Sequence, residues 1–232
     1  MIGIIGAMSV ETDKITAMMS DVRIEKAAGC EFHVGSLCGR DAVVAVSGVG
    51  KVNAAVCTQT MILKYSPELI INSGVAGGLE PTLKVCDIVV ARDVVQHDMD
   101  TSPLGDPVGF ISGIDIINIP CNEDKTEQLC RAVEENGIRC LCGTIASGDV
   151  FVADPKKKSE IVSRFGAYAC EMEGGAIGHV CYRNGISFCV IRSISDNADD
   201  SSPLSYTEFV RIAADNLVSV IKTRAAFMRK LF

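Results

Sequence analysis

The sequence predicts an α/β fold: a parallel or mixed sheet covered by helices on both faces. Three observations carry this. Short β-branched apolar runs alternate with amphipathic stretches along the chain. The strongest runs, at 2–5, 69–72 and 187–194, are apolar without alternation, as strands buried on both faces are. Composition is globular, with 48 % hydrophobic and 22 % charged residues among 232. No linker, repeat or low-complexity tract interrupts the pattern, so residues 1–232 read as one domain.

Taken in order, the first strand covers 2–5 and ends in Gly6-Ala7-Met8. Ser9 is placed to cap a helix over 10–19, whose first turn holds Glu11 and Asp13, where acidic groups suit the helix dipole. Strands follow at 31–37 and 42–46. Gly48-Val49-Gly50 then turns the chain into a helix over 52–63. A buried strand at 69–72 leads to a glycine-rich turn, Ser73-Gly74-Val75-Ala76-Gly77-Gly78, and another strand fits 87–90. Residues 97–112, rich in Gly, Pro, Asp and Ser, read as a long loop. In the second half a helix fits 124–136, ended by Gly137, and a strand fits 140–147, with a short element at 150–152. Pro155 after Asp154 opens a helix, because Pro suits the first turn. A helix over 173–183 closes on Asn184-Gly185, a strongly apolar strand covers 187–194, and a last helix covers 205–229. Ligands of such folds gather at strand ends, which directs attention to the loops after Ile5, Val46, Asn72, Ser147 and Ile194.

Charge and cysteine usage exclude several function classes. Lys+Arg 22 against Asp+Glu 29 leaves a net charge of −7, and the densest cationic cluster is Lys156-Lys157-Lys158. A nucleic-acid groove needs clustered cations, so none is expected. No apolar run reaches the length of a membrane span. The eleven cysteines form no Cys-x-x-Cys pair, and most lie in apolar runs such as Phe188-Cys189-Val190. With three histidines and no zinc-type spacing, they read as small buried hydrophobes in a reducing cytosol, and no metal is expected. The start of the chain has no basic n-region and only a short apolar run, so no secretory leader is expected.

Two glycine clusters suggest nucleotides. Gly48-Val49-Gly50-Lys51-Val52-Asn53 lacks the third glycine of a dinucleotide fingerprint, and no acidic residue ends a strand about 20 residues later. A Walker A loop also fails, since Val52 follows Lys51. A tight turn and a ligand-approach loop both remain open for this segment. The small residues at 74–78 fit a backbone that comes close to a flat ligand. Three acidic positions stand at strand ends: Glu11, the pair in Glu171-Met172-Glu173, and Asp196. A carboxyl at the end of a buried strand is partly desolvated, which favours its protonated form. Singly, each has a bland reading: a solvated first-turn acid for Glu11, a loop cap for Asp196, core filler for Met172.

Their order changes the balance. Gly6-Ala7-Met8-x-x-Glu11, Ser47-Gly48-Val49-Gly50-Lys51-Val52, Asn72-x-Gly74-x-Ala76-Gly77-Gly78-Leu79, Ser147-Gly148-Asp149-x-Phe151, Glu171-Met172-Glu173 and Arg192-x-Ile194-Ser195-Asp196-x-Ala198-Asp199 occur in that sequence. Together, over about residues 1–225, they resemble the 5′-methylthioadenosine/S-adenosylhomocysteine nucleosidase family of the purine nucleoside phosphorylase/uridine phosphorylase superfamily. The resemblance implies a single domain with a central mixed, partly barrel-like sheet flanked by helices. It implies hydrolysis of a purine N-glycosidic bond, with Asp196 as the acid and Glu11 as the base that activates water. It places Glu173 on the ribose hydroxyls, Met172 against the sugar face, Ser195 beside the acid, and Arg192 and Glu171 in the polar cluster. Phe151 would stack on adenine, the backbone at Val152 would read its edge, and Val75, Ala76 and Gly77 would lie under the nucleoside. Met8, Val49 and Tyr206 would line the 5′-alkylthio pocket. No cofactor is implied, and the partners are a small nucleoside substrate and a second copy of the chain.

The residues support water over phosphate as nucleophile. A phosphorylase of this superfamily carries a cation in the loop after the first strand, whereas Ala7-Met8-Ser9-Val10-Glu11 has none before Lys14. A purine phosphorylase, a nucleosidase of futalosine-type substrates and a non-catalytic nucleoside-binding protein are the competing readings. Two departures stand out. Gly174-Gly175 replaces better helix formers at a helix start, implying a looser or a more closely packed start. Leu104 and Asp106 stand in the 98–112 loop where the family has aromatics of the 5′ pocket.

Overall fold

The computed structural model describes residues 1–196 and, beyond them, residues 211, 215, 216, 218 and 220. Among residues 1–196, ten strands and five α-helices run in the order β1 (Ile2–Gly6), α1 (Ser9–Thr16), β2 (Met19–Ala27), β3 (Cys30–Leu37), β4 (Arg40–Val46), α2 (Lys51–Tyr65), β5 (Leu69–Gly78), β6 (Ile88–Gln96), β7 (Ile119–Pro120), α3 (Glu123–Glu135), β8 (Cys140–Ser147), α4 (Pro155–Phe165), β9 (Ala167–Glu171), α5 (Gly174–Asn184) and β10 (Ser187–Asp196). The sheet order is β10-β6-β8-β9-β5-β1-β4-β3-β2, and β10 pairs with β5 as well as with β6. Strands β5, β10, β6, β8 and β9 therefore close into a ring, and β1, β4, β3 and β2 extend from it as an open sheet. The predicted mixed, partly barrel-like sheet flanked by helices is the architecture found.

Burial explains the central strands. β1 lies between β4 and β5, parallel to both, and every one of its residues is buried. A Cβ on its Gly3 would stand 2.5 Å from the sulfur of Met61, so glycine lets α2 settle against the sheet. Two helix ends follow the sequence signals, at Asp154 and Gly185, and Asn122 adds a cap that sequence reasoning did not name. Asn122 and Asp154 accept N–H groups at the heads of α3 and α4, and Gly185 ends α5 in the left-handed conformation.

Several elements differ from the sequence expectation. Met8, not Ser9, caps the first helix, and it stops at Thr16 rather than near 19. β2 begins at Met19, a charged and largely exposed strand at the open edge of the sheet that carries no apolar pattern. The segment read as a glycine-rich turn after Asn72 continues as strand to Gly78, paired with β10 on one side and β9 on the other. β6 likewise continues past Val90 to Gln96, through the charged pair Arg92-Asp93. Residues 150–152 carry no regular structure, and the short strands β7 and β9 had no distinct signal. The helix predicted over 205–229 lies, apart from five helical positions, outside the described residues.

Six of the eleven cysteines are buried, among them Cys57, Cys181 and Cys189, each at 0 % exposure. They pack with aliphatic neighbours, as small hydrophobes do. Among the described residues no helix is long and apolar enough to cross a membrane.

Candidate active site

A cleft of about 570 Å³, partly open to solvent, forms where the ends of β1, β5, β9 and β10 meet. Glu11 lies against its floor. It is the third residue of α1, yet it is 3 % exposed, because the short turn after β1 folds its side chain back under the helix start. Oε2 accepts the backbone N–H of Ala7 at 2.7 Å and of Met8 at 3.0 Å, and Oε1 accepts that of Val75 at 3.1 Å. Burial pushes the carboxyl above its ordinary range, while the nearby Arg192 charge and the three N–H donors pull the other way. The bland reading of a solvated first-turn acid does not hold.

Gly74 makes this placement possible. A Cβ there would stand 2.5 Å from Glu11 Oε1 and would also strike Arg192 Nη1. Both charged groups fill the space over the strand that a side chain at this position would need, so glycine is required where β5 runs paired with β10.

A second charged cluster joins Glu171 and Glu173, which line the cleft, to Arg192 behind them. Arg192, 1 % exposed, donates through Nη2 to Asn72 Oδ1 and Glu171 Oε2. Glu171 Oε2 also accepts the N–H groups of Glu173 at 2.9 Å and Gly174 at 2.7 Å, and Oε1 accepts the Ser147 hydroxyl. Burial works to raise the Glu171 carboxyl, but the Arg192 charge, the Ser147 hydroxyl and the Gly174 N–H outweigh it, and it stays ionised below the ordinary range. Glu173 behaves oppositely. Burial and the neighbouring Glu171 push it up to about 7, despite Arg192 Nη2 3.8 Å from its Oε2 and the Gly50 N–H donating to its Oε1 at 2.8 Å. One buried carboxylate is thus committed to structure, and the other is poised near neutrality. Gly48 and Gly50, at φ of 85° and 97°, form the turn that aims the Gly50 N–H at Glu173. That turn is both tight and close to the cleft, since Val49 lines it.

The doubled glycine at the start of α5 packs closely rather than loosely. A Cβ on Gly175 would stand 2.8 Å from Ser147 Cβ, and the Gly175 N–H bonds the Ser147 hydroxyl.

The remaining predicted residues complete the cleft wall. Asp196, the last residue of β10, accepts the Ser195 hydroxyl at 2.7 Å, and both face the cleft. Val75, Ala76 and Gly77 line one side, Met8 and Met172 another. Phe151, 62 % exposed, and Val49, 49 % exposed, form an apolar rim, while Val152 is buried beneath. Of the predicted set, Arg192 does not reach the cleft surface, and Tyr206 lies outside the described residues. Ala7, Val150 and Cys170 also line the cleft. Sequence reasoning did not single them out as site residues; their only signal is adjacency to Met8, Phe151 and Glu171. No residue of 98–112 lines it, and Leu104 is 83 % exposed. Among the described residues no group of three or more His, Cys, Asp or Glu side chains is placed to hold a metal ion.

The arrangement can serve acid–base chemistry on a neutral, flat, partly apolar molecule, with carboxylates on two sides and hydrophobic contacts at the rim. Comparison with known proteins agrees. The profile of the phosphorylase superfamily matches residues 1–225. A protein of Shewanella sp. (strain W3-18-1) named 5′-methylthioadenosine/S-adenosylhomocysteine nucleosidase is 39 % identical over 211 residues, covering 90 % of this chain and 91 % of its own. The crystal structure of 5′-methylthioadenosine/S-adenosylhomocysteine nucleosidase from Neisseria meningitidis, in complex with methylthio-immucillin-A, superposes with a TM-score of 0.92 at 33 % identity, over 99 % of this chain and 98 % of that one. Futalosine hydrolase of Helicobacter pylori superposes with a TM-score of 0.88 at 37 % identity, over 96 % and 97 %.

Proposed function

The chain belongs to the 5′-methylthioadenosine/S-adenosylhomocysteine nucleosidase family of the phosphorylase superfamily, and from that premise we propose that it hydrolyses the N-glycosidic bond of 5′-methylthioadenosine and S-adenosylhomocysteine, and of 5′-deoxyadenosine, to adenine and the free sugar. The observation that carries this reading is the buried Glu11 carboxylate at the cleft, in the first turn of α1, close after β1 where phosphate would need a cation.

Breaking this bond leaves negative charge on the departing purine and positive charge on the ribose. Asp196 meets the first need by protonating the purine at N7, oriented by the Ser195 hydroxyl. Glu11 meets the second and takes the proton of the attacking water. Its burial makes it a stronger base than an exposed glutamate, while three N–H groups hold its orientation. An acid and a base on opposite sides of the scissile bond are the arrangement of inverting glycosidases. Glu173, held by Gly50, binds the ribose hydroxyls, with Met172 against the sugar. Glu171 and Arg192 support it from behind. Phe151 stacks on adenine, the Val152 backbone reads its edge, and Val75, Ala76 and Gly77 lie beneath. Met8 and Val49, with Tyr206, receive the 5′ group, whose polarizable thioether suits methionine and aliphatic contacts. No cofactor takes part in the proposed reaction.

The chain acts as a homodimer in the cytosol. The outer face of α2 leaves Val52 73 %, Val56 43 % and Leu63 75 % exposed, an apolar stripe that a second copy would cover. The exposed 98–112 loop would then complete the 5′ pocket of the partner.

The test is product analysis. Adenine release in phosphate-free buffer, yielding a free sugar, is expected. Phosphate-dependent release yielding a sugar 1-phosphate overturns the hydrolytic reading in favour of a phosphorylase. Binding of adenosine analogues with no release of base overturns catalysis itself. The similarity to futalosine hydrolase favours one further reading, resolved by assaying futalosine-type and 5′-alkylthio nucleosides side by side.

A further inference from the structure

Two conspicuous loops contain residues to which the chemistry above gives no part: Lys51 in Gly48-Val49-Gly50-Lys51 and Asp149 in Ser147-Gly148-Asp149. The fold ties them together through Asp98, two residues past the end of β6. Asp98 Oδ1 accepts the Lys51 ammonium at 2.7 Å, and Oδ2 accepts the Asp149 backbone N–H at 2.9 Å. Asp149 in turn accepts the Lys51 backbone N–H at 2.7 Å, at the head of α2. Three hydrogen bonds thus close a ring through segments some 50 residues apart in sequence. The Lys51 ammonium also reaches Gln96 Oε1 at 3.2 Å, and Gln96 touches the Gly175 carbonyl at the head of α5.

This is not an ordinary surface ion pair, which contributes little. The Lys51 and Asp98 side chains are only 18 % and 23 % exposed, and both carboxylate oxygens of Asp98 are in use. Its position explains its use. Lys51 follows Gly50, whose N–H holds Glu173 at 2.8 Å. Asp149 precedes the segment 150–152, which forms the cleft wall. One loop faces the sugar and the other the base, and the ring fixes the distance between them.

We propose that Asp98 is a positioning residue for the nucleosidase reaction: by holding Lys51 and Asp149 together, it keeps the sugar-side and base-side loops in one register. The inference rests on the reading of the cleft given above. A shift of about 1 Å in such loops is enough to cost about 100-fold in turnover.

The test compares Asp98→Ala, Asp98→Asn and Lys51→Met with wild type. Asp98→Ala is expected to raise KM for 5′-methylthioadenosine and to lower kcat/KM by about 10- to 100-fold. The double variant with Lys51→Met should lose no more than the worse single variant, because both break one ring. A purely structural role would not move the pH profile. Losing the Gly50 contact should shift the Glu173 limb of kcat/KM to higher pH, with Glu171, Arg192 and Glu11 still facing that group. Lys51→Arg, which keeps the charge, should recover part of the loss. A folded Asp98→Ala enzyme with kcat/KM within twofold of wild type overturns the proposal, as do additive losses or an unmoved limb. If Asp98→Ala does not fold, the same readouts on Asp98→Asn decide. Direct adenine binding separates this inference from the functional reading. If wild type hydrolyses no nucleoside, that reading fails, yet weaker adenine binding by the Asp98 variants still supports the ring, and unchanged binding overturns it.

Discussion

Gly74→Ala separates stability from catalysis at one position. The added methyl would lie 2.5 Å from Glu11 Oε1, 0.9 Å short of the 3.4 Å at which ordinary contact begins, and would also strike Arg192 Nη1. The obstructing atoms are the ends of side chains, not backbone, so the fold can yield at the low end of the usual overpacking cost, about 1 kcal/mol. For a chain of this size that lowers Tm by about 2–4 °C. What yields, however, is the carboxylate that carries the proposed base. Moving it by nearly 1 Å strains its 3.1 Å bond to the Val75 N–H and displaces it from the sugar carbon. Misplacement of that size costs about 100-fold in rate. Thermal unfolding and initial rates of adenine release, measured on the same preparation, test this. A variant with a normal Tm and more than a tenth of wild-type kcat would refute the reasoning, because Glu11 would then not need its present position.

Glu11→Gln and Asp196→Asn are each expected to lower kcat by at least about 10²-fold, the usual worth of one general acid or base, with Tm little changed; near-normal adenine release removes the role assigned to that residue. Glu173, raised by burial to about 7, binds its proton more tightly folded than unfolded. Its contribution is therefore complete below its unfolded value near 4.5 and is lost as pH rises through about 7. Denaturation from pH 5 to pH 8 should show Glu173→Gln gaining on wild type by up to about 1.4 kcal/mol per pH unit; a pH-independent difference contradicts this. Phe151→Ala, at an exposed rim position, should raise KM by about 10-fold or more while leaving stability intact, as loss of one base–aromatic stack does; unchanged KM would place the purine elsewhere.

Strands whose apolar runs end at clear turns were legible: β1, β4 and β8 lie within one or two residues of their predicted limits. So were the helix ended near Gly137 and those framed by Asp154-Pro155 and by Gly185, because capping chemistry is local. What failed depends on distant partners. The glycines after Asn72 read as a turn, but the segment pairs with β10 and β9 as strand, and Gly74 is glycine because Glu11 and Arg192 occupy the space a side chain would need. β2 read as nothing because an exposed edge strand needs no apolar pattern. In the site, the family resemblance carried by the ordered motifs implied one site for Glu11, Glu173 and Asp196, and all three line one cleft. The inequality between Glu171 and Glu173 was illegible. It arises from Arg192 and Ser147, which approach one carboxylate far more closely than the other.

The pairing of β5 with β10 has a consequence for biosynthesis. These neighbours are separated by more than a hundred residues, and the second of them supplies both Arg192 and Asp196. A nascent chain can assemble the open sheet β1–β4 early, from nearby segments, but Asp196 cannot join Glu11 at the cleft until residue 196 has left the ribosome. Until then Glu11 has no cationic counterpart at 192, so the proposed acid–base pair cannot form before β10 does.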